Sequence, residues 1–166
     1  MSDQGDPDAP APLKRDGLSG IEYVQAMMDG RIPLSGMART IGWQIRCVEV
    51  GKVVFGLPLG PHLHGNNGLH GGTFATLFDG AFAAAVNSSL AADQRCKTLD
   101  IRVNYIRGVT TDVPELVCTA EVLHIGRSNA FVEARITDSE GKLCASATAT
   151  FGVTRIEPGG ARQAAG

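Results

Sequence analysis

The chain has 166 residues, 43% hydrophobic and 19% charged, with a formal net charge of −2 and a pI near 6.1. That is the make-up of one globular domain with its own core. It has no clustered basic excess of the kind nucleic-acid binding needs, and no apolar run reaches the roughly 18–20 residues of a membrane span.

Residues 1–16, rich in Pro, Asp, Gly and Ala, read as a disordered tail, as do residues 157–166. Residues 17–156 read as a single domain. Ser19 can cap a short helix over Ile21–Asp29 that Gly30 ends, with Ile21, Val24 and Met28 on one face as a lid. Two extended runs follow, Thr40–Val50 and Lys52–Pro58, joined as a hairpin at Gly51. A Gly/His/Asn-rich loop from Gly60 to Leu69 delivers the chain to a helix starting at Gly71 and reaching about Leu90.

That helix is apolar on every side, and Asp79 is its one charged residue through Val86. Four strands follow: Leu99–Arg107, Leu116–Ile125, Asn129–Asp138 and Leu143–Val153. In the last, Leu143, Ala145, Ala147, Ala149 and Phe151 share one face. The class is α+β: an antiparallel sheet of about five to six strands wrapped around one long central helix, with a short N-terminal helix. One such sheet cannot enclose a helix that is apolar all round, so a partner subunit is expected to complete the cover. Cys47, Cys96, Cys118 and Cys144 are scattered without a C-x-x-C pair and read as reduced thiols of a cytoplasmic protein. The N-terminus lacks a secretory leader pattern.

A lone carboxylate on an apolar helix is costly unless it has a use. Gly71-Gly72 leaves bare N–H groups at the positive end of the same helix. An acid beside an oxyanion-binding terminus is minimal equipment for breaking an acyl bond. Against this stands a structural acid, with glycines that only allow close packing. His62, His64 and His70 could instead hold zinc, but their spacing is irregular and no Cys or acid completes the set.

The motif His70-Gly71-Gly72, with Asp79 eight residues after Gly71, resembles that of the hotdog-fold acyl-CoA thioesterases of the phenylacetate-degradation (PaaI-like) type. The strand Leu99–Arg107, the turn Gly126-Arg127-Ser128, the run Phe131–Ala134 and the turn Asp138–Gly141 fit the same pattern, so the likeness covers about Gly20 to Val153.

The resemblance implies thioester hydrolysis at an interface between two subunits whose sheets pair, with dimers associating into tetramers. The Gly71 N–H would polarise the thioester carbonyl. Asp79 of the other subunit would act as nucleophile or as general base. Coenzyme A is then part of the substrate, and no metal or redox cofactor is needed. His70 braces the loop or touches substrate. Gly72, Phe82 and Asn104 are further candidates for substrate binding, and Arg107, Arg127 and Ser128 for the coenzyme A phosphates. One departure is plain: the family usually has Asn or Gln six residues before the motif histidine, where this chain has His64. Either His64 takes the polar role, or Asn66 or Asn67 does through a shifted loop, or catalysis is impaired. The rival functions are a non-catalytic acyl-CoA binder or sensor and a hotdog enoyl-CoA hydratase or dehydratase.

Overall fold

Alternation builds the core. Along three strands every second residue is buried: Leu116, Cys118 and Ala120, then Ala130, Val132, Ala134 and Ile136, then Ala145, Ala147, Ala149, Phe151 and Val153. The computed structural model describes residue 15 and residues 17–156; the two proposed tails otherwise lie outside the described residues. In chain order the elements are α1 (Gly20–Met28), α2 (Gly36–Ile41), β1 (Gln44–Glu49), β2 (Lys52–Pro58), a 3-10 turn (Pro61–Leu63), β3 (His64–Gly65) and β4 (Gly68–Leu69). There follow α3 (Gly71–Ser88), β5 (Gln94–Tyr105), β6 (Glu115–Ile125), β7 (Asn129–Asp138) and β8 (Leu143–Arg155).

Six strands form one antiparallel sheet in the order β1-β2-β6-β7-β8-β5. α3 packs on its apolar face through Phe74, Leu77, Phe78, Ala81, Phe82 and Ala85, all buried. Phe78 and Phe82 stack with centroids 5.8 Å apart, and the small alanines of β7 and β8 leave room for them. Helix and sheet thus stand as the sequence implies.

The differences have local causes. α2 occupies the start of what reads as an extended run. It is capped at both ends, by the Ser35 hydroxyl accepting from Ala38 N–H at 3.2 Å and by Gly42 at φ 93°. β5 begins at Gln94, not Leu99, because pairing with the long β8 carries it back to Gln94 opposite Arg155. α3 stops at Ser88, short of Leu90. The β7–β8 register shifts between Ile136 and Thr137, which turns Leu143 outward and Cys144 inward, contrary to the simple alternation. The sheet leaves one face of α3 uncovered in the single chain. Ala75, Thr76, Asp79, Gly80 and Ala83 face away from the sheet.

Arg15, placed in the tail by composition, is buried at the C-terminal end of α3. Its guanidinium donates to the carbonyls of Gln94 (2.9 Å) and Leu90 (3.3 Å) and lies 5.5 Å from the Tyr23 ring centroid. Gly20 docks beside it, its N–H donating to Leu90 O at 2.8 Å. A Cβ at Gly20 would stand 1.7 Å from Asn87 O and 2.7 Å from Leu90 O, both backbone atoms. Gly20→Ala should therefore force α1 off α3 and cost about 3 kcal/mol or more. The expected fall in Tm is about 6–12 °C by calorimetry.

β1 and β5 are the sheet's edges. β5 is 12 residues long and leaves Leu99 and Tyr105 more than half exposed. A long edge strand of this kind, with apolar side chains exposed among its charged ones, can template another strand.

Candidate active site

The site begins at the N-terminus of α3. Here His70 is the N-cap, with extended backbone (φ −67°, ψ 133°). Its Nδ1 accepts the Gly72 N–H at 3.0 Å, which places the ring proton on Nε2. Its carbonyl takes the Thr73 N–H at 2.9 Å. Among the described residues this leaves the Gly71 N–H unclaimed, at the positive end of an 18-residue helix. Of the two glycines, then, Gly72 spends its donor on the cap and Gly71 keeps its own. His70 thus holds the start of α3 through its ring nitrogen.

The Tyr105 hydroxyl donates to Gly71 O at 3.0 Å, and its ring meets Phe74 edge-on at 5.8 Å. The end of β5 therefore holds the first peptide of α3 in place. Sequence reasoning quoted Tyr105 only as part of a strand motif.

Asp79 lies beside the middle of β5, at Thr98, seven residues before Tyr105. The Thr98 hydroxyl donates to Asp79 Oδ1 at 2.9 Å. In the single chain Asp79 is exposed, not buried as the apolar helix suggests, because it stands on the face of α3 that turns from the sheet. Thr98 falls one residue before the strand predicted from sequence and was not singled out; β-pairing of Thr98 with Phe151 aims it inward. A cleft of about 690 Å³ opens beside Asp79, lined by α1, α2, β1 and the outer face of α3.

His64 is half-buried in β3. Its Nδ1 lies 3.0 Å from Gly60 O, so that nitrogen carries the proton, and the buried Nε2 has no hydrogen-bond partner among the described residues. His64 pairs with Leu69 and Gly65 with Gly68, so Asn66 and Asn67 form the exposed two-residue tip of a small hairpin. Phe82 is fully buried in the sheet-facing core and does not line the cleft, a correction to its reading as a substrate contact. Asn104 is exposed on edge strand β5, opposite Ser146. Arg127 and Ser128 are exposed in the β6–β7 turn, where Ser128 O accepts from Val153 N–H at 2.8 Å. Among the described residues, no three His, Cys, Asp or Glu side chains gather where a metal could be held.

Arg107 is engaged elsewhere than its reading as a phosphate ligand suggests. It forms an ion pair with buried Asp138 and donates to Lys142 O at 3.2 Å, while Asp138 accepts the N–H groups of Glu140 and Lys142. The Arg107 hydrogen bond comes first among the causes that hold the Asp138 carboxyl below its usual value of 3.8. A lowered carboxylate pKa stabilises the fold above the unfolded-state value and loses that contribution as pH falls through the folded one. Arg107→Ala should therefore destabilise the protein at pH 7, and the gap from wild type should narrow as pH falls below the unfolded-state value of 3.8. Denaturant melts at the two pH values check this.

Comparison with known proteins bears on the chemistry. A family model described as "Thioesterase superfamily" matches residues 66–145. The 1,4-dihydroxy-2-naphthoyl-CoA hydrolase of Listeria monocytogenes is 32% identical over 121 residues, which is 72% of this chain and 97% of that one. The chain belongs to the thioesterase superfamily.

Its fold is the hotdog, and its class of chemistry is thioester hydrolysis. A conserved protein of Pseudomonas aeruginosa superposes with a TM-score of 0.68 at 33% identity, covering 73% of this chain and 95% of that one. A phenylacetic acid degradation-related protein from Ralstonia eutropha JMP134 superposes with a TM-score of 0.72 at 26% identity, covering 78% and 98%. The resemblance read from the HGG motif, the spaced acid and the following strand is thus shown at the level of superfamily and fold. Among the described residues no helix is long and apolar enough to cross a membrane.

Proposed function

We propose that this thioesterase-superfamily chain hydrolyses the thioester of a small-to-medium aryl or aliphatic acyl-CoA at a site shared by two copies. The observation that carries the reading is the placement of its two halves. Gly71 and Asp79 are eight residues apart on α3, so about 12 Å at 1.5 Å per residue, too far to grip one carbonyl together. Gly71 is held by Tyr105 at the C-terminal end of β5, and Asp79 by Thr98, seven residues earlier on the same strand. Antiparallel pairing of this edge strand with its own copy, centred between Thr98 and Tyr105, would set Thr98 of one against Tyr105 of the other. The Gly71 N–H of one copy then faces the Asp79 carboxylate of its partner.

In that geometry the Gly71 N–H stabilises the charge that develops on the carbonyl oxygen. Asp79 either attacks the carbonyl carbon, expelling the coenzyme A thiolate and leaving a mixed anhydride that water then hydrolyses, or takes a proton from a water that attacks the carbonyl and expels the thiolate directly. No metal or redox group is required, because a thioester already has a good leaving group. The acceptor Nε2 of His64, in the place where the family has Asn or Gln, would orient that water. Arg127 and Ser128 remain candidates for the coenzyme A phosphates. The four free cysteines suit a cytoplasmic enzyme. The assembly expected is a homodimer through β5, with dimers paired as tetramers.

Thiol release from a panel of aryl and straight-chain acyl-CoAs, followed with a chromogenic thiol reagent, tests the reading. Release from at least one acyl-CoA is expected; tight binding without release would favour an acyl-CoA sensor and overturn it. Tyr105→Phe should lower kcat about 2- to 10-fold with KM little changed, since it removes one hydrogen bond to the Gly71 peptide.

A further inference from the structure

We propose that the cleft beside Asp79 receives an uncharged, apolar acyl group, and that Trp43, seated on Gly80, sets how bulky that group can be. This rests on the thioesterase reading above. The cleft measures about 690 Å³, within the ~300–1,000 Å³ of pockets that enclose drug-sized ligands. Asp79 and Thr98 line it, so a thioester carbonyl held at Asp79 directs its acyl chain into this space. Tyr23 and Met27 of α1 and Met37 of α2 form other walls.

Charge and shape narrow the occupant. Among the residues that line the cleft, Asp79 alone is charged. A carboxylate on the acyl group would find no cation there and would be repelled by Asp79, and an acyl group that buries apolar surface gains on entry.

The wall next to the reacting carboxylate is built by contact with a glycine. A Cβ at Gly80 would stand 2.9 Å from Trp43 Cζ2 and 3.3 Å from Cε2 and Cη2, so the indole rests on the bare backbone of the residue after Asp79. Trp43 is 7% exposed and is backed by Phe55, with centroids 6.3 Å apart. It has little freedom to retreat when a larger group enters. Ala83, one helical turn beyond Asp79, lines the same space and is only half-buried.

The test is kcat/KM for thiol release across straight-chain acyl-CoAs of increasing length, with benzoyl-, naphthoyl- and succinyl-CoA added. In wild type the value should rise about fourfold per methylene until the cleft is full, then fall. Succinyl-CoA should be at least tenfold poorer than butyryl-CoA. Trp43→Ala should move the maximum to bulkier acyl groups, and Ala83→Leu to smaller ones. Because loss of Trp43 can cost folding, Ala83→Leu carries the test independently, as it adds bulk on the open face of α3. Asp79-dependent release with an unmoved maximum in Ala83→Leu would overturn the proposal. So would a changed mass by light scattering with an unmoved maximum, which would assign the cleft to a second copy of the chain. Wild-type protein that releases thiol from no acyl-CoA would overturn the thioesterase reading itself, and this proposal with it.

Discussion

Asp79→Asn should lower kcat for acyl-CoA hydrolysis by about 10²–10⁴-fold, the usual range for a lost general base, and more if Asp79 is the nucleophile. The fold should hardly notice. Asp79 is exposed in the single chain, and its polar contact, the Thr98 hydroxyl at 2.9 Å, is one the Asn Oδ1 can still accept. A substitution at such a place stays within about 0.5 kcal/mol, so Tm should move by only about 1–2 °C. Thiol-release kinetics beside calorimetry check both halves. A large loss of Tm would mean that Asp79 is a structural acid, and an undiminished kcat would remove it from the chemistry.

Gly71→Pro should cost about 10²–10³-fold in kcat, the effect of deleting one oxyanion donor. A backbone N–H is ordinarily beyond mutagenesis, but here the geometry permits its removal. Gly71 is the first residue of α3, where proline is well tolerated because the helix makes no use of that N–H. The preceding residue must be extended, and His70 already is, at φ −67° and ψ 133°. The proline Cβ meets Tyr105 Oη at 3.4 Å, the far end of a half-exposed side chain that can give. Circular dichroism should show the helix retained while turnover falls. The two inactive variants should also rescue each other. A hybrid dimer of Asp79→Asn and Gly71→Pro chains holds one intact site, so random re-pairing should restore about a quarter of wild-type activity. No rescue would place both groups in one chain's site, against the 12 Å helical separation.

Much of the fold was legible because its signals are local. Strict alternation in β7 and the glycine at the β1–β2 turn mark strands that pairing then keeps. The apolar run from Gly71 marks the helix. The far face of α3 is harder to read. Ala75, Gly80 and Ala83 are apolar by composition, but their side chains are too small to say whether anything packs on them. Counted as apolar, they make α3 look enclosed on every side, whereas in the single chain Asp79 on that face is exposed. Phe82 was likewise an apolar residue of the right kind, one turn from Asp79, and the helix rotation put it against the sheet.

By itself the sequence determined the hydrophobic period of each element, the bare helix N-terminus at Gly71 and the single acid at Asp79. Those depend on residue type and near-neighbour spacing, which the chain carries whether folded or not. The tertiary structure alone decided the partners: Thr98 on Asp79 across 19 residues, Tyr105 on Gly71 across 34, Arg107 on Asp138 across 31 and Trp43 on Gly80. Each follows from the direction in which α3 crosses the sheet and from the register of β5 and β7 on β8. A one-residue slip in that register would turn every strand side chain to the other face, so no local pattern could have specified which ends meet.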